Sequence, residues 1–146
     1  TADRVQGVLS AQMSLRYGLA VMALEREATP AQYTPERIRS PRILRFIERI
    51  AVEHEPEFEG GGGRHRVACR LIVSTTRGES RETTVLYRKG SPEDPMTQEE
   101  LRAKFDTLTA PLGSARSGEV WNAVLAIEDV ADVRALCRLL TLPSPT

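Results

Sequence analysis

Few side chains in this sequence are of a type that commonly does chemistry: two histidines, His54 and His65, two cysteines, Cys69 and Cys137, and a scatter of carboxylates and cations. A zinc site needs several Cys, His or carboxylate ligands at short spacing. Two isolated cysteines and two isolated histidines do not supply it. A serine hydrolase needs a nucleophile elbow, Gly-x-Ser-x-Gly between strand and helix, with a positioned His and Asp, and the sequence has none. His54 stands between Glu53 and Glu55. A general base there is conceivable, but the pattern reads better as a partly exposed strand histidine. The run Gly60-Gly61-Gly62-Gly63 has no predicted strand before it and no helix after it, so it reads as a flexible connection, not a phosphate-cradling loop. Each cysteine sits among apolar neighbours, which predicts reduced, buried thiols instead of a disulfide framework.

The elements that must position any site follow from periodicity and punctuation. From Leu9 to Glu27, Met13, Tyr17, Val21 and Leu24 recur at spacings of three and four, predicting one helix buried on several sides. Thr29-Pro30 punctuates the chain, Thr34-Pro35 starts a short helix, and Ser40-Pro41 starts another with Ile43, Leu44, Ile47 and Ile50 as its apolar stripe. Alternation over Ile50, Val52 and His54 predicts a short strand. Arg66 to Thr75 and Ser80 to Arg88 predict a hairpin, turned by Thr76-Arg77-Gly78-Glu79, with Val67, Cys69, Leu71 and Val73 on one face.

Lys89-Gly90-Ser91-Pro92-Glu93-Asp94-Pro95 must be a loop, because two prolines and a glycine exclude regular structure. Thr97-Gln98-Glu99-Glu100 spells a capping box before the stripe Leu101, Phe105, Leu108 and Leu112. Pro111 and Gly113 close that helix, and Val120 to Ile127 begins the next. Asp129 is the expected cap of a last helix with Val133, Leu136, Cys137 and Leu140 inward.

The expected fold class is α+β: a small antiparallel sheet of about three strands packed by helices, in the order helix, helix, three strands, two or three helices. Residues 1–142 are expected to form one domain, incomplete on its N-terminal side, with 143–146 a frayed tail. At 146 residues the chain has the length of a single domain.

Twenty Lys plus Arg balance twenty Asp plus Glu, which leaves no basic field to draw a nucleic acid or an anionic membrane. The absence of a long apolar run and of a signal peptide predicts a cytoplasmic setting. Thr1 leads almost at once into helix-like sequence, so the polypeptide is expected to begin upstream. Mixed charges over Ser40–Arg49 and Arg77–Arg88 read as solvated faces. On the residues alone, this is an α+β domain without a self-contained active site.

Four stretches, in order, resemble the C-terminal part of the MmgE/PrpD family. They are Ser14-Leu15-Arg16-Tyr17-Gly18-Leu19-Ala20-Val21; Ile38-Arg39-Ser40-Pro41 with Ile47-Glu48-Arg49-Ile50; Tyr87 through Thr97 running into Glu100-Leu101-Arg102-Ala103-Lys104-Phe105; and Leu125-Ala126-Ile127-Glu128-Asp129-Val130. The resemblance implies the second, α+β domain of a two-domain subunit, covering a cleft beside a larger helical domain. It implies an enzyme of the 2-methylcitrate dehydratase, cis-aconitate decarboxylase or iminodisuccinate epimerase kind, working on a small polycarboxylate by proton transfer next to a carboxylate, without an iron–sulfur cluster or other cofactor. A homodimer is also implied.

Tyr17 matches the family's active-site aromatic position, which implies a hydrogen-bond donor or proton relay. Core packing with a satisfied hydroxyl is the competing reading. Arg16, one residue earlier, could pair with a substrate carboxylate, since guanidinium binds carboxylates through two parallel bonds. Tyr17→Phe is expected to lower turnover with little loss of stability. The Lys89 loop reads as a structural turn feeding the capped helix. The family's other catalytic Asp, His and Lys residues would lie upstream, so isolated activity is not expected. The rival to this enzyme-part reading is a non-catalytic interaction or dimerisation module of the same fold.

Overall fold

A computed structural model describes residues 6–61 and 67–142. His65, Gly62, Gly63, the predicted strand start at Arg66 and the predicted tail 143–146 lie outside the described residues. The chain divides into two compact units, residues 1–57 and 58–146.

In the first unit the predicted Leu9–Glu27 helix is two helices, α1 (Val8–Gln12) and α2 (Leu15–Glu25). The break is made by Ser14, which takes an extended backbone (φ −95°, ψ 111°) and whose side chain accepts from the Tyr17 amide at 3.2 Å. A serine that can bond the backbone itself competes with helix continuity and wins most easily as a cap. Arg26 ends α2 in the left-handed region (φ 62°), donating its N–H to the Met22 carbonyl. A 3-10 turn, Pro30–Gln32, follows; a second, Arg37–Arg39, stands where the short helix after Thr34-Pro35 is predicted. Helix α3 (Pro41–Ile47) starts with proline in its first turn, where the missing N–H has no intrahelical partner to lose. Ala11, Tyr17, Ala20, Val21, Ile38 and Ile43 form the core, with Val8, Leu24, Tyr33, Phe46, Ile47 and Ile50 packed around it.

The expected strand over Ile50–Glu55 is not formed. These residues have no regular structure and Ala51–His54 are exposed. Alternation sets which face a residue would take, but a strand exists only through a ladder partner. Residues 50–55 are not in the ladder, and among the described residues the sheet has two strands, not about three.

A 3-10 turn, Pro56–Gly61, begins at the end of the first unit, runs into the second and contains the first half of the glycine run. Strands β1 (Cys69–Ser74) and β2 (Ser80–Val85) form the predicted antiparallel hairpin, in register Cys69↔Val85, Leu71↔Thr83 and Val73↔Arg81. The turn uses Gly78 at φ 83°. Cys69, Leu71, Val73 and Val85 share one face; Arg70, Ile72, Glu82 and Thr84 share the other, with Arg70 and Glu82 3.5 Å apart.

Both faces are exposed, so Cys69 is exposed and not buried. Cys137 is exposed too. It lies on α6 (Val133–Leu139), whose expected inner face is buried only at Leu136, while Val133 and Leu140 are open. Neighbouring apolar residues predict burial of a thiol only when the surface they share is covered.

Helix α4 (Gln98–Thr109) carries the predicted capping box: Thr97 Oγ1 accepts from the Glu100 amide at 3.1 Å, and Glu100 Oε2 accepts from the Thr97 amide at 2.8 Å. A 3-10 turn, Ala110–Leu112, closes it. Helix α5 (Ser114–Leu125) begins six residues before the expected Val120, with Gly113 at φ 80°, ψ 155° before its first turn. Phe105 and Trp121 pack edge to face at 5.0 Å, with the Arg102 guanidinium 4.8 Å over the indole. Asp132, not Asp129, caps α6, its Oδ1 accepting from the Arg134 amide at 2.9 Å. Asp129 instead closes a 3-10 turn, Ile127–Asp129. No helix among the described residues is long and apolar enough to cross a membrane.

Candidate functional site

The Ser14 cap fixes the first turn of α2 and therefore where Tyr17 points. The ring has no solvent-exposed surface, and its hydroxyl donates to the main-chain carbonyl oxygen of Gln32 at 2.7 Å. Tyr33 stacks beside it, with centroids 5.3 Å apart and planes tilted by 47°. Gln32 is itself 6% exposed, and its side-chain oxygen accepts from both the amide and the hydroxyl of Thr29, at 2.9 and 2.8 Å. Glu25, at the end of α2, pairs with Arg37 at 2.6 Å.

Burial raises the Tyr17 pKa above the ordinary phenol value; Tyr33 and Glu25 push the same way, and Arg37 opposes them. The phenol is therefore neutral at physiological pH and retains its proton. Tyr17 is held as a packed core tyrosine with its donor satisfied. Arg16 is half-buried, with its Nε shielded from solvent. Successive helical residues point about 100° apart, so adjacency in sequence does not turn Arg16 towards the Tyr17 hydroxyl.

The remaining candidates are dispersed. His54 is exposed, and among the described residues no group of three or more His, Cys, Asp or Glu could hold a metal ion. Lys89 reaches Asp94 at 3.3 Å and Glu100 at 3.1 Å, and its pKa is raised, first by Glu100 and then by Asp94. Gly90, at φ 88°, donates its N–H to the Asp94 carbonyl at 2.7 Å. The loop thus ties itself to the start of α4.

Sequence reasoning missed the partners of Tyr17. A main-chain acceptor leaves no mark in residue type. The signal that was present is Thr29-Pro30-Ala31-Gln32, a capping-box spacing that puts Gln32 three residues after its cap.

Helices with a small antiparallel hairpin define an α+β fold. The chain belongs to the MmgE/PrpD family: the MmgE/PrpD C-terminal domain matches residues 2–129, a span that includes both units down to the turn before α6. No curated protein matches the chain.

Proposed function

We propose that this chain serves as the second domain of a lyase or isomerase acting on a small polycarboxylate, of the 2-methylcitrate dehydratase kind, by proton transfer next to a carboxylate. The supporting observation is the family match over residues 2–129. In this reading a helical domain of the same protein supplies the opposite wall of the cleft and most of the acids and bases, the subunit pairs as a homodimer in the cytoplasm, and no cofactor is needed. Tyr17 is the hydrogen-bond donor or proton relay, for which a neutral phenol is the competent form. Arg16 is the partner of a substrate carboxylate.

Because Tyr17 has no exposed surface, contact with a ligand requires the residues around it to open. The same burial favours a second reading, an interaction module in which Tyr17 only packs. The exposed hairpin residues Leu71, Val73 and Val85 suit that reading as well.

The full protein should be incubated with 2-methylcitrate, cis-aconitate and iminodisuccinate while products are followed. Turnover of one of them, reduced at least about ten-fold by Tyr17→Phe, supports the enzyme reading. No turnover of any of the three leaves the interaction module, and turnover indifferent to Tyr17→Phe removes Tyr17 from the chemistry.

A further inference from the structure

We infer that Gln32, clasped by Thr29, is a positioning residue for Tyr17: its carbonyl oxygen is the resting acceptor from which the phenol O–H is exchanged when the hydroxyl serves a substrate oxygen. This deepens the proposed chemistry and rests on the role assigned there to Tyr17.

A phenol has a single proton, and the rotation of that proton about the C–O bond selects one acceptor at a time. In the structure the acceptor is Gln32 O, at 2.7 Å. That oxygen belongs to a hydrogen-bonded turn. The Gln32 amide donates to the Thr29 carbonyl at 3.0 Å, and the Tyr33 amide donates to the Pro30 carbonyl at 3.1 Å, which sets the turn. Pro30 fixes its own φ at the turn's first position. The Gln32 side chain then folds back, and its oxygen takes both Thr29 donors.

Glutamine is ordinarily a surface residue, and burying its amide costs free energy unless it is hydrogen-bonded. Here the buried side chain locks a turn whose carbonyl meets Tyr17. The charged and titratable groups that act on the phenol are Tyr33, Glu25 and Arg37, and the Glu25–Arg37 pair links the end of α2 to the 3-10 turn Arg37–Arg39. The hydroxyl is thus kept protonated and aimed, and a ligand oxygen has to displace one known neutral acceptor.

Three variants of the full protein test this: Thr29→Val, which removes the hydroxyl donor but keeps the side-chain shape; Thr29→Ser, which keeps the donor; and Gln32→Ala. Two readouts are needed, the split between kcat and KM on the substrate that the protein turns over, and the titration of Tyr17 followed by NMR of its 13C-labelled Cζ. Thr29→Val and Gln32→Ala should lower kcat by on the order of five-fold, the scale of one neutral hydrogen bond, with little change in KM. Both should also let Tyr17 titrate at lower pH as water reaches it, and Thr29→Ser should restore the parent values.

If Tyr17→Phe lowers turnover while Thr29→Val and Gln32→Ala change neither kcat nor the titration, the positioning role is wrong and the catalytic role of Tyr17 stands. If Tyr17→Phe leaves turnover intact, the catalytic role fails, and positioning for catalysis fails with it. Should Gln32→Ala not fold, Thr29→Val alone decides, since it leaves the backbone and Gln32 in place.

Discussion

The hydroxyl of Tyr17 and the main-chain carbonyl of Gln32, fifteen residues apart in sequence, share a buried hydrogen bond of 2.7 Å. It ties α2 to the turn Pro30–Gln32, and it changes what a substitution at Tyr17 should do.

On sequence alone Tyr17→Phe is nearly neutral for stability. With the buried bond in view it should cost roughly 1–2 kcal/mol, because the buried Gln32 carbonyl loses its donor. The cost should also depend on pH. In the unfolded chain the phenol ionises near its ordinary value of about 10, and in the folded chain above it. Between those two values only the unfolded state gives up the proton, so the stability due to Tyr17 is whole below pH of about 10 and falls as pH rises further. Urea unfolding on the alkaline side should therefore show a shallower decline for Tyr17→Phe than for the parent. Parallel declines would mean that the phenol is solvated in the folded protein.

At α4 the capping box makes a local prediction. Thr97→Ala removes the acceptor of the Glu100 amide and should cost about 1 kcal/mol, seen as faster hydrogen exchange in the first turn of α4. The Glu100 pKa is lowered, first by the Thr97 amide and then by Lys89. Its contribution is therefore present above the ordinary glutamate pKa and is lost as pH falls through the lowered value. Exchange rates in that turn unchanged by both Thr97→Ala and acid would show that the cap does not hold the helix start.

Two glycines in the same unit should respond in opposite directions to alanine. Gly113 sits at φ 80°, ψ 155°, a region almost closed to other residues, so Gly113→Ala should destabilise by roughly 1–3 kcal/mol although no heavy atom lies within 4 Å of the added methyl. Gly118 lies inside α5, again with nothing within 4 Å, and Gly118→Ala should stabilise by roughly 0.5–1 kcal/mol. Equal melting temperatures for the two variants would refute the backbone assignment at Gly113.

What could be read in advance was what is local. Thr97-x-x-Glu100 and Gly78 act on bonds within four residues, and both did what their types require. Failures came where structure is a partnership. The alternation over Ile50–His54 found no second strand, and the apolar surroundings of Cys69 and Cys137 did not amount to cover.

Boundaries also escaped. Ser14 looked like one more helical residue because its cap bond competes with a helix that periodicity alone would continue. The first turns of α5 carry Ser114, Arg116, Ser117 and Glu119, with too little apolar spacing to announce a helix. At the candidate site the sequence pointed to Tyr17 on an apolar stripe, but the atom it meets belongs to the backbone.

The two-stranded ribbon of the second unit has one further consequence. Leu71, Val73 and Val85 meet water on one side, and among the described residues each strand has a single ladder neighbour, which leaves a rim of main-chain donors and acceptors outside the ladder. Such a rim is a template on which any extended peptide can crystallise residue by residue, copies of the same ribbon included. Arg81 and Glu82, charged side chains in the middle of β2, are the ribbon's own defence against sticking.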